Sequence, residues 1–83
     1  MATPEEALEK IRVGKIVARL RKTHGYAQRP FARAIGCSQP HLAHMETGRA
    51  RVTPATRQKI ADVLGLDRID AHLELGLPLE RAS

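Results

Sequence analysis

Signals that start and stop helices divide this chain into short segments, and they constrain the fold more than any other feature of the sequence. Thr3-Pro4 and Thr53-Pro54 each combine an N-capping hydroxyl with a proline suited to the first helical position. Glycines suited to the positive φ of a helix end follow the helical stretches, at Gly25, Gly36, Gly48, Gly65 and Gly76. No run alternates apolar and polar residues over more than a few positions, so strands are not expected. The sequence therefore predicts an all-α protein.

These signals predict five short helices in one compact bundle. The first three run from 4 to about 23, from 28 to 35 and from 38 to 47, and the fourth covers 54–64. Asp67 caps the fifth, which passes through Ile69 and Leu73 as apolar positions and ends at Gly76. A chain of 83 residues buries too little surface for a second domain or a large substrate cavity, so we predict no enzymatic activity.

The first helix has apolar residues on two sides. Val13, Ile16, Val17 and Leu20 form one stripe at helical spacing, whereas Leu8 and Ile11 point to the opposite side. Two interpretations follow: the helix bends near Gly14, or its first turns carry a separate apolar face for another partner.

Positive charge is concentrated in the middle of the chain. From residue 12 to residue 59 there are eleven Lys and Arg and one acid, Glu46, whereas both ends carry net negative charge. This distribution favours a polyanionic partner, and nucleic acid is preferred over a membrane because the chain has no Trp, one Phe and one Tyr. No window is apolar enough to cross a bilayer and the start is acidic, so we expect a cytoplasmic protein that does not bind membranes.

The second and third predicted helices are joined by only three residues, Gly36-Cys37-Ser38, so they must cross steeply, as in a helix-turn-helix. Gly36 permits the positive φ of such a turn, and Ala32 is small where the two helices approach. The exposed face of the third helix then consists of Gln39, Pro40, His41, Ala43 and His44. This face is polar and uncharged, as expected of a surface that reads base edges.

The stretch 28–48, QRPFARAIGCSQPHLAHMETG, resembles the DNA-binding core of lambda-repressor-like regulators of the Cro/CI type, the XRE family, in its Gln…Ala…Gly…Leu…Glu-x-Gly spacing. The resemblance extends over about residues 13–66. It implies a five-helix domain that binds operator DNA as a dimer. We accordingly divide the chain into an N-terminal helical extension at 1–12, a helix-turn-helix DNA-binding domain at 13–76 and a C-terminal tail at 77–83.

The resemblance also implies roles for individual residues. Gln28 would hold a phosphate at the start of the second helix, and Gln39 and His44 would lie at the edge of the major groove. Backbone contacts in the loop after the third helix would come from Thr47, Arg49 and Arg51. A structural ion pair is implied between Arg21 and Glu46, which would explain the lone acid in the basic region.

Side-chain chemistry agrees with these roles. The Gln39 amide can pair with adenine N6 and N7, and a ring nitrogen of His41 or His44 can donate to guanine. Pro40 offers only apolar contact, for instance with a thymine methyl group, where many relatives have a hydrogen-bonding side chain. The predicted phosphate contacts also include Arg29, Arg33 and Ser38. The competing interpretation of Gln28, Gln39 and His41 is that they are ordinary solvated side chains.

Cys37, His41 and His44 do not form a convincing metal site, because no Cys-x2-Cys knuckle or closed set of four ligands accompanies them. Cys37 lies where the turn requires a small residue and lacks the surroundings of a thiol nucleophile, so we interpret it as a packed, inert thiol. We predict no metal, no cofactor and no catalytic residue.

Leucines are frequent near the end of the chain, and five short helices cannot bury all of them. We assign Leu73, Leu75 and Leu77 to a homodimer interface, and the alternative is a tail that folds back over the core.

The predicted function is a transcriptional regulator, most simply a repressor, that binds a two-fold operator as a homodimer and has RNA polymerase or another protein as a further partner. The alternative is an antitoxin or adaptor that binds a protein through its Leu8/Ile11 face or its leucine-rich tail.

Overall fold

The structure, a computed structural model, describes residues 3–79 of the chain. This part contains five α-helices. They are α1 (Pro4–Thr23), α2 (Gln28–Ile35), α3 (Gln39–Glu46), α4 (Pro54–Leu64) and α5 (Arg68–Leu75). The predicted all-α fold is confirmed, and the predicted helix ends differ from these by at most one residue. Residues 1–2 of the predicted extension and 80–83 of the predicted tail lie outside the described residues. Within 3–79, no helix is both long and apolar enough to cross a bilayer.

Side-chain caps explain where four of the helices begin. In each, an oxygen accepts a hydrogen bond of 2.8–3.2 Å from the backbone N–H three residues further on. The capping residues are Thr3, Ser38, Thr53 and Asp67. α2 differs, because its N-cap residue is Ala27 and no side chain caps it. The first N–H groups of α2 are therefore open to an external acceptor.

One apolar core lies between the helices, with α1 packed on α3 and α5 and α2 packed on α3 and α4. Its largest completely buried side chains are Phe31, Leu42, Met45, Ile60 and Val17. The Tyr26 ring lies tilted against Phe31, with 5.3 Å between the ring centroids. α2 and α3 both contribute to this core, and their buried residues are Phe31, Ala32, Ile35, Leu42 and Met45.

α1 continues through Gly14 without interruption as one helix. Gly14 is buried because α1 approaches the end of α3 backbone to backbone. A Cβ atom at this position would overlap the carbonyl oxygen of Met45 and lie 2.8 Å from that of Glu46. The missing side chain therefore allows close helix packing and does not serve flexibility.

The two apolar residues at the start of α1 have different environments. Ile11 is 40% exposed and packs along Gly48, where an added Cβ would lie 2.7 Å from Ile11 Cγ1. Leu8 is 67% exposed. The separate apolar face considered for these turns therefore consists mainly of Leu8, while Ile11 attaches the first turns of α1 to the loop after α3.

α5 buries only some of its apolar residues. Ala71 and Leu75 are the buried residues of this helix, whereas Ile69 and Leu73 are 62% and 73% exposed. α5 thus packs through a narrow face with a small residue at its centre, and two large apolar side chains remain in solvent.

The chain turns back towards the core directly after α5. Gly76 ends the helix with φ 68°, and Nδ1 of His72 lies 2.8 Å from the carbonyl oxygen of Leu77. Leu77 is consequently buried, as is Leu75. Of the three leucines assigned to a dimer interface, only Leu73 is exposed, because the other two belong to the core of their own chain.

The close approach at Gly14 predicts whether Gly14→Ala stabilises or destabilises the protein. In an ordinary helix interior, Gly14→Ala would stabilise the protein by up to about 1 kcal/mol. Here the added methyl group meets two carbonyl oxygens, so we expect the free energy of unfolding to fall by about 1–3 kcal/mol in urea denaturation. The exposed neighbour Lys15 supplies the control, since Lys15→Ala should leave stability nearly unchanged. A stabilised Gly14→Ala variant would contradict the described packing of α1 on α3.

Candidate nucleic-acid interface

The junction between α2 and α3 is a tight turn held by backbone hydrogen bonds. Gly36 ends α2 with φ 79°, and the N–H of Cys37 donates to the carbonyl oxygen of Ala32 at 2.9 Å. Ser38 then starts α3 by accepting from the N–H of His41 at 3.2 Å. Three residues thus end one helix and begin the next, as the spacing predicts.

α3 has one buried face and one polar face. Leu42 and Met45 point into the core. On the other side, Pro40, His41 and His44 are exposed, and Gln39 is half-buried. The four residues predicted to read bases thus share one helix, three of them open to solvent and the fourth leaning against the protein.

A buried ion pair lies at the C-terminal end of α3. Arg21 and Glu46, the residues that the resemblance paired, meet with Nε–Oε2 at 2.7 Å and a second hydrogen bond between Nη2 and Oε1 at 3.1 Å. Their side chains are only 8% and 7% exposed. The remaining guanidinium nitrogen of Arg21 donates to the carbonyl oxygen of Tyr26 at 2.7 Å. Two-point pairing with additional hydrogen bonds is what a buried charge pair needs to offset its loss of hydration.

Two glutamines extend this ion pair towards the surface. Nε2 of Gln28 donates to Oε1 of Glu46 at 2.9 Å, and Nε2 of Gln39 donates to Oε1 of Gln28 at 2.9 Å. The four side chains form one continuous hydrogen-bonded path, which we call the amide relay: Arg21, Glu46, Gln28 and Gln39. It ends at the first residue of α3. The sequence analysis did not predict the hydrogen bonds of Gln28 to Gln39 and Glu46. These residues lie eleven and eighteen positions from Gln28, so no local sequence pattern indicates the contacts.

The amide relay limits what each glutamine can offer a ligand. An amide group has two N–H donors and one oxygen acceptor. Gln28 uses its oxygen and one N–H in the described part of the chain, which leaves one N–H. Gln39 uses only one N–H within residues 3–79, which leaves an N–H and the oxygen. That remaining pair has the donor and acceptor needed at adenine N7 and N6.

The loop after α3 carries the next group of predicted residues. Thr47 Oγ1 lies 3.0 Å from the carbonyl oxygen of Ala43, so its hydroxyl donates to the backbone of α3. Gly48 takes φ 81°, and the N–H of Arg49 closes the turn on the carbonyl oxygen of His44 at 2.8 Å. The side chains of Arg49 and Arg51 are exposed.

Cations also surround the start of α2. Arg29 is exposed and directly follows Gln28 at the uncapped end of this helix, and Arg33 is exposed one turn later. Open N–H groups at a helix start, together with adjacent guanidinium groups, attract anions. This end of α2 therefore combines two features that favour anions, beside Gln28 and close to the start of α3.

Arg57 has a role that the sequence analysis missed, since it was counted only as one cation among eleven. Its Nε donates to the carbonyl oxygen of Val52 at 3.0 Å and its Nη1 to that of Leu75 at 3.1 Å. Arg57 thus ties the loop that carries Arg49 and Arg51 to the end of α5. No local pattern distinguishes such an arginine from a solvated one.

Cys37 in the turn is half-buried. Burial raises the pKa of its thiol above the ordinary value, and the positive charge of Lys59 acts in the opposite direction. The neutral thiol is therefore favoured at neutral pH, as expected of a packed side chain and in contrast to a nucleophilic cysteine.

The chain matches a known protein family. The model of a family described as a helix-turn-helix domain matches residues 12–73. The matched region covers the tight turn, the whole amide relay and all the predicted base-reading residues. The resemblance that the stretch 28–48 predicted is thereby confirmed, while residues 4–11 of α1 precede the matched region. No curated protein matches the chain.

Removing one member of the buried ion pair should lower the free energy of unfolding more than removing both. Arg21→Met leaves the Glu46 carboxylate buried and without its counter-ion, so the free energy of unfolding should fall by about 3–5 kcal/mol in urea denaturation. Arg21→Met combined with Glu46→Met removes both charges and should restore part of this loss.

The exposed ion pair between Arg12 and Glu9 provides the control. Arg12→Met removes the same charge in the same helix, yet it should change stability little because both partners are hydrated. Equal losses for Arg21→Met and Arg12→Met would contradict a structural role for the buried pair.

Proposed function

The chain belongs to the helix-turn-helix domain family, and on that premise we propose that it is a sequence-specific, DNA-binding regulator of transcription. In this proposal α3 lies in the major groove, with Gln39, Pro40, His41 and His44 against base edges. The family domain supports a DNA-binding function that involves no catalysis. The individual contact residues and a two-fold operator are proposed in addition to this family function.

The observation that carries the proposal is the amide relay. It holds Gln39 at the start of α3 with a free donor and acceptor, and it connects this residue through Gln28 to the buried ion pair. A side chain fixed in this way loses little conformational entropy when it meets a base. Gln28 would contact a phosphate with its remaining N–H, which links the position of the backbone to that of the base-reading residue.

Phosphate contacts would come from both ends of the helix-turn-helix. The residues proposed for them are Gln28, Arg29, Ser38, Thr47, Arg49 and Arg51. The exposed arginines supply charge that is not tied up in ion pairs within residues 3–79. Thr47 and Ser38 have their side-chain oxygens in helix-end hydrogen bonds, so they would contribute mainly by keeping the backbone in place.

A homodimer would double the contact area of this small domain. One such domain rarely supplies enough surface for tight, specific binding, and two copies would place α3 in successive major grooves about one helical turn apart. The surface that favours pairing is the exposed apolar face of α5, formed by Ile69 and Leu73. The buried Leu75 and Leu77 would support this face from within the core.

We further propose that the protein acts in the cytoplasm as a repressor of the XRE type. Occlusion of RNA polymerase by the bound dimer is the simplest mechanism, because it requires only DNA binding. Regulation would then depend on the concentration of the protein and on its competitors or partners.

A second candidate function is a protein-interaction module such as an antitoxin or adaptor, and the exposure of Leu8 favours it. This side chain lies in the first turns of α1, outside the matched family region, where no function of the helix-turn-helix requires an apolar residue. In that case a partner protein would bind α1 while the bundle serves as a scaffold.

Base reading by α3 predicts a specific effect of Gln39→Ala. The binding free energy for a duplex that the protein has selected from a random library should become less favourable by about 1–3 kcal/mol, because a bidentate contact is lost. Affinity for a mixed-sequence duplex should not change. Fluorescence anisotropy with labelled duplexes measures both.

Arg29→Ala is the matched variant for a phosphate contact. It should weaken binding to both duplexes by a similar factor and reduce the salt dependence by about one unit of log K against log salt. If Gln39→Ala weakened binding to both duplexes equally, sequence reading by α3 would be refuted. The scaffold function would be favoured if neither variant changed binding.

Dimerisation through α5 predicts a monomer for Leu73→Glu. A charge at the centre of the proposed interface should prevent pairing, which light scattering measures as a halved mass. Leu8→Glu introduces the same charge at a similarly exposed leucine on α1 and should leave the dimer intact. A dimer that survives Leu73→Glu but not Leu8→Glu would place the interface on α1 instead.

A further inference from the structure

The first turns of α1 carry acidic residues towards the loop that is proposed to bind DNA. A groove of about 550 Å³ is lined on the α1 side by Glu5, Glu6, Glu9, Lys10 and Val13, and on the other side by Arg51, Val52 and Arg57. The three acids and Lys10 precede the matched family region, whereas Arg51 and Arg57 belong to it. The groove thus joins an addition to the domain with part of its DNA-binding surface.

Packing fixes the position of this acidic segment. Ile11 lies against Gly48, which has no side chain to keep α1 at a distance, and Gly14 lies against the end of α3. The first three turns of α1 therefore cannot swing away from the loop without losing these contacts. The carboxylates at positions 5, 6 and 9 stay close to the loop in every state in which α1 remains packed.

The charges in the groove are only partly compensated. Glu9 pairs with Arg12, and this hydrogen bond lowers the pKa of the Glu9 carboxyl, with a smaller contribution from the positive charge of Arg57. Arg57 is engaged with two backbone carbonyl oxygens. Within residues 3–79, Glu5, Glu6 and Arg51 form no ion pair. Lys10 also lines the groove without an ion pair in this part of the chain, but it lies on the same helix as the carboxylates. Of the two arginines that line the groove, Arg51 is therefore the one that is not held by backbone carbonyl oxygens in the described residues.

We propose that the acidic start of α1 is a built-in brake on DNA binding, in which Glu5, Glu6 and Glu9 attract the Arg51 side chain over the groove and away from DNA phosphate. This inference rests on the proposed function, because it needs Arg51 to bind phosphate. The brake lowers affinity for all sequences alike, since phosphate contacts carry no base information. It therefore increases the share of the total binding energy that comes from base reading.

The direct test neutralises the brake in the whole chain. The triple variant Glu5→Gln, Glu6→Gln and Glu9→Gln keeps side-chain size and helix propensity. It should bind a short mixed-sequence duplex about three- to tenfold more tightly at low salt, since each exposed charge contact changes an equilibrium by about 1.5- to 5-fold. The slope of log K against log salt should steepen by about 0.9, the contribution of one additional phosphate contact.

Two arginine backgrounds show whether the effect passes through Arg51. In Arg51→Gln, the triple substitution should improve affinity less than twofold, because the side chain on which the acids act is missing. In Arg29→Gln, which removes a proposed phosphate contact outside the groove, the full improvement should remain. Circular dichroism checks that every variant keeps its helices.

The remaining outcomes overturn the inference in distinguishable ways. An equal improvement in both backgrounds would mean that the acids repel DNA generally and do not act on Arg51. No improvement in the wild-type background would mean that there is no brake. If the wild-type chain failed to bind any duplex, both the proposed function and the brake would be refuted.

Discussion

The buried ion pair between Arg21 and Glu46 is the interaction on which the rest of the structure depends. It joins α1 to the last residue of α3, and further hydrogen bonds attach it to the backbone of Tyr26 and to Gln28 at the start of α2. Two opposite charges in a small core are stable only when their hydrogen-bonding capacity is used, and here each partner has three hydrogen bonds. This requirement fixes how three helices meet.

The same contacts determine how α3 is presented to a ligand. Its C-terminal end is held by Glu46 and by the close approach of α1 at Gly14, and its N-terminal end by the Ser38 cap and by the bond from Gln39 to Gln28. A helix held at both ends, with an apolar face buried between them, presents its outer side chains in one orientation. Such preorganisation is what recognition of base edges by a short helix requires.

Most of the fold could be predicted because its signals are local. Capping residues and the helix-ending Gly36 fix the helices and the tight turn, and the resemblance to a known family supplied the ion pair. The features that could not be predicted depend on tertiary contacts. The sequence does not show that Gly14 packs against the end of α3, so a bend was one interpretation of this glycine. Nor does it show that the chain folds back after α5 and buries Leu77, which was assigned to an interface. The bonds of Gln28 follow from the crossing of α2 and α3, which residue types alone do not specify.

Selection of binding sites from a random duplex library by the purified protein tests the central claim most directly. If α3 reads base edges from a homodimer, the enriched duplexes should contain a two-fold motif whose half-sites lie about 10 base pairs apart. Binding to that motif should weaken steeply as salt increases. If no motif were enriched and only weak, salt-sensitive binding remained, the claim that α3 is a sequence-reading helix would be contradicted.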